Sequence, residues 1–417
     1  MTSPPQRAGS ARESDDGVRA NSMRALTLPA ALGGARIAPT TVFASLFLLT
    51  VSCRTVLLAV IPLQALALLG SAQAVSVMFL LVSSLSVVTS LLLPALILRI
   101  RTRRAFHLAA AISILGSLLL AVPVLPVFVL GMVCSAISTV AFELTLNLYI
   151  MHLILRRDIA RFEPKRVIFV VTSFTIGPGL GVWLQAWAGH FAPFAVTIVM
   201  AVISVAWFRH LGLREAGARQ YLRNAPNPLV HVRRYFAQPR LRLAWFLALA
   251  RASWWSTFMF YAPIYAVAVG LGEGGGGALV SAGMATAFSV GLWARYRVRN
   301  GTRSLLMLGF VLSGVSSIVV TVFAHSPLAG AALLLLATLL TSSLDAVGNT
   351  PFLRAVRPLQ REEMTGVFSI YRDMSQLLPP ALFAVILGVL PVHAVFAAAG
   401  VWMLVTAWFA RYLPRRL

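Results

Sequence analysis

The sequence predicts an all-α, polytopic membrane protein with twelve transmembrane helices in two related sets of six. Three observations carry that expectation. The 417 residues are 59% hydrophobic and 11% charged, with mean hydropathy +0.84, a composition foreign to ordinary soluble domains. Apolar runs of about twenty residues recur along the chain, the length a helix needs to cross a ~30 Å hydrocarbon core. The basic residues collect in alternate connections between those runs.

Taken in order, residues 1–40 are polar and lack a compact apolar segment, which predicts a disordered cytoplasmic tail rather than a cleaved leader. Apolar runs then place spans at 42–66, 73–98, 106–122, 126–153, 167–188 and 192–209. The longest polar connection, 210–242, holds Pro226-Asn227-Pro228, an amphipathic piece from Leu229 to Phe236, and Pro239. Six more spans follow at 243–270, 277–296, 303–323, 327–352, 365–389 and 392–412. The expected units are a first at 41–209, the linker at 210–242 and a second at 243–413.

Charge placement orients the chain. Of the 35 basic residues, 32 lie in the tails and the even-numbered connections, and none lies in the connections opposite. By the positive-inside rule both termini and the central linker are cytoplasmic, as expected of a multi-pass protein of an inner or plasma membrane. The same placement explains the formal charge of +23 as topology and argues against nucleic acid as a partner. Cys53 and Cys134 both fall inside apolar runs, so no disulfide framework is implied. The histidines His190, His325 and His393 sit in outer connections, and no metal site is expected. Gly274 to Gly277 lacks the Lys and Ser or Thr of a phosphate-binding loop. No nucleophile–base arrangement suggests an enzyme, and no cofactor is expected.

The two halves carry matching features. Pro62 corresponds to Pro263 at an offset of 201, and Pro178 to Pro380 at 202. Glu143 and Asn147 in span 4 correspond to Asp345 and Asn349 in span 10, again at 202. A nearly constant offset argues for parallel duplication of a six-span unit, an architecture that puts the site between the halves near the midplane. A spacing of four sets acid and amide on one helix face. An acid at mid-membrane costs ~2.5–3.5 kcal/mol on insertion scales, so it faces an interior or a water-filled cavity and has a partner. Similar depth makes Arg54 with Glu143, and Arg251 with Asp345, the expected pairs. On this reading Glu143 and Asp345 face one central cavity.

The chain resembles the major facilitator superfamily over about residues 41–413. The basic loop that the family carries between spans 2 and 3 survives as Arg101-Thr102-Arg103-Arg104, with Arg99 where the family has aspartate and Thr102 where it has glycine. Arg299-Asn300-Gly301-Thr302-Arg303 is its counterpart after span 8 and keeps the glycine. Gly177-Pro178-Gly179-Leu180-Gly181 in span 5 resembles the Gly-Pro-x-x-Gly signature of proton-coupled antiporters, although membrane glycines also serve close helix packing. Arg372-Asp373 ahead of Pro379-Pro380 resembles span 11 of such transporters. The resemblance implies that spans 1, 4, 7 and 10 line a central cavity.

These features lead to an expected function: a secondary active transporter that moves a small molecule by alternating access, coupled to protons. The span-5 motif favours efflux by antiport, with proton-coupled uptake of a small organic solute as the alternative. A non-transporting sensor or scaffold on the same fold is the third reading. Proton and substrate chemistry is expected at Glu143, Asp345, Arg54, Arg251, Asn147 and Asn349. Trp254, Trp255 and Tyr261 are candidate cavity aromatics. Arg372, Asp373, Gly177, Pro178, Gly181, Arg101, Arg103 and Arg104 are candidate gate or packing residues, with Arg372 and Asp373 pointing to different faces. The expected partners are the substrate, protons and the lipid bilayer, and the expected state is a monomer.

Overall fold

The computed structural model describes residues 39–153, 156–211, 228–323, 326–357 and 360–413. Residues 1–38 of the expected N-terminal tail and residues 212–227 of the central linker lie outside them. Among the described residues the chain is built of helices. The first half runs α1 (Pro39–Thr55), α2 (Val60–Leu69), α3 (Ala72–Ile100), α4 (Thr102–Leu120), α5 (Leu125–Leu153), α6 (Arg156–Ala188) and α7 (Ala192–His210). The second half runs α8 (Pro228–Phe236), α9 (Pro239–Ala268), α10 (Gly272–Ala285), α11 (Val290–Asn300), α12 (Thr302–Val319), α13 (Pro327–Asp345), α14 (Thr350–Ala355), α15 (Arg361–Ile386) and α16 (Ala394–Ala410). Nine helical stretches among the described residues are long and apolar enough to cross a membrane, and Ala394–Ala410 is a shorter apolar helix. The chain is a multi-pass membrane protein.

Three expected spans are interrupted, and the sequence explains two of the interruptions. Pro62 has no N–H for the carbonyl of Leu58, and its ring crowds that carbonyl. The chain accordingly turns between α1 and α2. Pro351 does the same to Val347, and Gly348 takes a left-handed φ of 55°. Expected span 10 therefore splits into α13 and α14 around residues 346–349. The third interruption is a short 3-10 turn, Thr286–Ser289, between α10 and α11. Several helices begin earlier than their apolar runs, α6 most of all, at Arg156 rather than 167, and α9 at Pro239 rather than 243. A polar first turn outside the apolar core still completes a helix.

Most packing stays within each half. In the first, α4 lies on α5 and α7, and α1 on α6 and α7; in the second, α12 lies on α13 and α16, and α9 on α10 and α15. The halves meet chiefly along two seams, α3 with α15 and α6 with α10, with a smaller contact of α2 and α3 on α9. Chain alternation puts the α3–α4 and α11–α12 connections and α8 at one end of the helices, here the arginine-rich end.

The glycines of expected span 5 belong to this packing. A Cβ on Gly181 would lie 1.8 Å from the Val56 carbonyl oxygen, and one on Gly177 would lie 2.6 Å from Thr55 Oγ1. These glycines let α6 press against the end of α1. On the other side of α6, the Gly179 N–H donates to Ser281 Oγ on α10 at 2.8 Å, with Pro178 and Val182 close to Gly277.

Candidate functional site

A cavity of ≈ 490 Å³ opens between the halves, within the ~300–1,000 Å³ usual for small-molecule sites. It extends from mid-helix toward the arginine-rich end. Its floor is apolar, formed by Ile61, Pro62, Phe79, Met132 and Phe260. Phe79 of α3 stacks on Phe260 of α9, ring centroids 4.8 Å apart, so the floor itself joins the halves. Toward the arginine-rich end the lining turns polar, with Ser86, Ser90, Thr139, Asn147 and Gln376. Prolines recur beside these positions. Pro62, Pro94 and Pro380 each delete the helix bond to the carbonyl one turn back, at Leu58, Ser90 and Gln376, all lining residues.

Four charged residues line this cavity: Arg54, Glu143, Arg372 and Asp373. Glu143 projects from α5, with Asn147 one turn along the same face, as the i,i+4 spacing requires. Its carboxylate is not bonded to Arg54. It accepts from Arg372 Nη1 of α15 at 3.4 Å, and the two side chains are 47% and 59% exposed. The expected intra-half pair is thus replaced by one that crosses between halves. Depth along the membrane makes both arginines candidates, and the α3–α15 seam decides in favour of Arg372. Arg372 and Asp373 also share the cavity, contrary to the expectation of different faces. Neighbours on a helix diverge by only about 100°, and the cavity wraps α15 from Gly366 to Gln376. Asp373 Oδ2 accepts from Ser90 Oγ at 3.2 Å, a second link across the seam.

Arg54 stands apart. It is partly buried in the last turn of α1, with its guanidinium carbon 5.0 Å from the Phe174 ring centroid. It makes no ion pair with any described carboxylate.

The second acid is arranged differently. Asp345 and Arg251 do pair, Nε to Oδ1 at 3.5 Å, but the side chains are 32% and 12% exposed and neither lines the cavity. Trp255 Nε1 donates to Asp345 Oδ2 at 3.0 Å. Arg251 Nη1 donates to the Leu344 carbonyl at 3.3 Å, and Arg297 Nη1 to the Ala346 carbonyl at 2.8 Å. Two guanidinium groups therefore satisfy carbonyls at the C-terminus of α13, where cations complement the helix dipole. Trp293 and Ser289 add hydrogen bonds to Ser342 at 3.1 and 2.8 Å. The expectation that Asp345 shares a cavity with Glu143 is corrected. So is the one-face argument for Asn349, because α13 ends at Asp345 and Asn349 lies in the break. Arg297 was counted in the sequence only as a topological charge. It lies in the last turn of α11, and nothing in the sequence set it apart from Arg295 and Arg299.

The candidate aromatics do not line the cavity either. Trp254 is buried, stacks on Phe258 and donates to Ser317 Oγ at 3.0 Å. Tyr261 is buried, shares a 2.7 Å hydrogen bond with Ser76 Oγ and meets Phe383 edge-on. Trp254, Phe258, Tyr261 and Tyr265 form one helical stripe packed into the core, and Phe260 on another face of α9 reaches the cavity. Arg101, Arg103 and Arg104 are exposed at the α3–α4 junction, away from the lining. Arg101 has a φ of 75° there, and Gly301 has 85° at the matching α11–α12 junction. The positional equivalent of Gly301 is therefore Arg101, not Thr102.

Among the described residues, a helical membrane protein thus has a partly polar cavity between the first and second halves of its chain. The fold is that of the major facilitator transporters. No protein-family model and no curated protein matches the sequence. Among solved structures, the nucleoside transporter NupG superposes with TM-score 0.71 at 14% identity, covering 89% of this chain and 98% of that one. A POT family transporter in complex with a thioalcohol-conjugated peptide gives 0.70 at 13% identity, covering 88% and 94%. A peptide transporter POT mutant in complex with alafosfalin gives 0.72 at 14% identity, covering 95% and 97%.

Proposed function

We propose that the chain is a secondary active transporter that takes up a small organic solute together with protons, with Glu143 as the proton-binding group. The observation that carries this reading is the Glu143–Arg372 pair, a solvent-reached carboxylate bonded across the two halves inside the cavity. Protonating Glu143 frees Arg372 and loosens the link between α5 and α15. Proton occupancy and the relative position of the halves are coupled in this way. Arginine keeps its charge throughout, so the proton resides on an acid.

In this proposal twelve spans form two six-helix units, 41–209 and 243–413, joined by the linker 210–242. The arginine asymmetry supports cytoplasmic termini in an inner or plasma membrane, which makes the present form inward-facing. The protein acts as a monomer in this proposal. Uptake is preferred to efflux on two grounds. The span-5 glycines on which efflux rested have a packing role against α1. The solved relatives of this fold are described as nucleoside and peptide transporters, which sides with uptake.

Proteoliposomes loaded with a pH-sensitive dye test the proposal. Nucleosides, dipeptides and small organic acids are added outside, and protein-free vesicles are subtracted. At least one solute should drive protons inward with the wild type and not with Glu143→Gln, while the variant still exchanges labelled solute. Unchanged proton flux in Glu143→Gln, or protons moving opposite to the solute, would overturn the reading.

A further inference from the structure

We propose that Arg54 is an anion-binding residue and that the solute is a small monocarboxylate with an apolar body. The inference rests on the transport reading above and specifies its substrate. Of the four charges lining the cavity, three already have partners. Glu143 is bonded to Arg372, and Asp373 accepts from Ser90. Arg54 is bonded to no carboxylate: it has the face of Phe174, the C-terminal dipole of its own helix, and at longer range the field of Glu143, whose carboxylate is already bonded to Arg372. That dipole amounts to roughly half an elementary charge, too little to neutralise a guanidinium. An aromatic face adds ~0.5–2 kcal/mol of attraction without removing the charge. A cation in the middle of a membrane protein without a bonded counter-ion is costly, and a carboxylate from the substrate supplies one in direct contact. The planar guanidinium matches a carboxylate with two parallel hydrogen bonds.

The surroundings set the rest of the molecule. Leu58, Ile61 and Pro62 continue from Arg54 along the broken helix to the Phe79–Phe260 floor. Residues 54 to 62 span roughly 12 Å at 1.5 Å per residue. A carboxylate seated on Arg54 therefore points an apolar tail of up to that length at the aromatic floor. Charge count restricts the anion to one negative charge. The empty cavity carries two arginines and two acids and is neutral when both acids are ionised. A bound monoanion leaves it at minus one, and a single proton on Glu143 restores neutrality. A phosphate dianion would need a second proton or a further cation, and the lining offers no further cation. The expected stoichiometry is one proton per carboxylate, which makes transport electroneutral.

Purified protein in detergent is heated with matched pairs that differ only in charge: phenylacetate and phenylacetamide, 3-phenylpropionate and its amide, indole-3-acetate and its amide, hexanoate and hexanamide. At least one acid should raise the wild-type melting temperature by about 3 °C or more and its amide should not. Arg54→Gln should lose that shift and Arg54→Lys keep a smaller one. The wild-type comparison stands whether or not the Arg54 variants fold. In vesicles, accumulation of the stabilising acid should follow an imposed pH gradient and be unaffected by an imposed membrane potential. The proposal is overturned if no carboxylate stabilises the protein, if amides stabilise as well as their acids, or if the shift persists in Arg54→Gln. It is likewise overturned if uptake follows voltage. Proton flux driven by a neutral solute would remove the anion and leave the transporter reading standing. Absence of proton flux with every solute would remove both.

Discussion

Glu143 and Asp345 occupy matching positions 202 residues apart, yet their neighbours make them different groups. Glu143 meets solvent and holds one arginine of the other half. Asp345 is fixed by Arg251 and Trp255 at a helix end whose carbonyls are held by two arginines. Asp345→Asn should therefore act on stability, lowering it by about 1–3 kcal/mol, read as a lower melting temperature. The pH dependence of transport by the remaining folded protein should match the wild type. A shifted pH profile without loss of stability would give Asp345 the role assigned here to Glu143. The sequence disclosed which charges lie within the spans, because carboxylates and arginines inside apolar runs need a reason. It did not disclose the partners. Depth along a helix can be counted from residue numbers, whereas which helices adjoin is decided by packing between distant segments. Phe260 was overlooked among the aromatics of α9 for the same reason.

The breaks at Pro62 and Pro351 were available at the level of elements, since proline at either position removes a bond one turn back. Apolar runs alone hid them, because hydropathy stays high across a kink. Glycines give two opposite tests. Gly181→Ala should destabilise through collision with the Val56 carbonyl oxygen, by ~1–3 kcal/mol, with thermal unfolding as the measure. Gly301 has open space around it, with no atom within 4 Å of an added Cβ, but a φ of 85°. Gly301→Ala should also lower the melting temperature, by ~1–3 kcal/mol of backbone strain, while the α11–α12 packing stays intact. An unaltered melting temperature in Gly301→Ala would show that the junction adopts another conformation. Arg101 occupies the same kind of backbone at the matching junction, a local conflict that no reading of the loop motif could reveal.

For the whole molecule, the multi-pass helical fold was the most legible feature, because long apolar runs persist when individual motifs erode. The unequal surroundings of Glu143 and Asp345 were not legible, since both positions keep acid and amide. The seam between α6 and α10 provides a direct test of rocking between halves. With Cys53 and Cys134 replaced, a Gly179→Cys, Ser281→Cys protein should form a disulfide on oxidation, because an added Cβ at Gly179 lies 2.9 Å from Ser281 Oγ. Transport should stop and return on reduction; undiminished transport in the fully cross-linked protein would exclude movement at this seam. The ties that close this end are modest: Gly179 to Ser281, Ser76 to Tyr261, and Phe79 against Phe260. Two neutral hydrogen bonds and one aromatic pair total about 2–4 kcal/mol. These three ties by themselves would favour the closed end by roughly 30- to 1,000-fold, so that in an alternating-access cycle the opposite state would be the minor species before any solute arrives. A ligand whose affinities for the two states differ by the same factor makes them equally populated. The weakness of the seam thus sets how selective the solute must be between states, and ordinary micromolar binding leaves ample room for it.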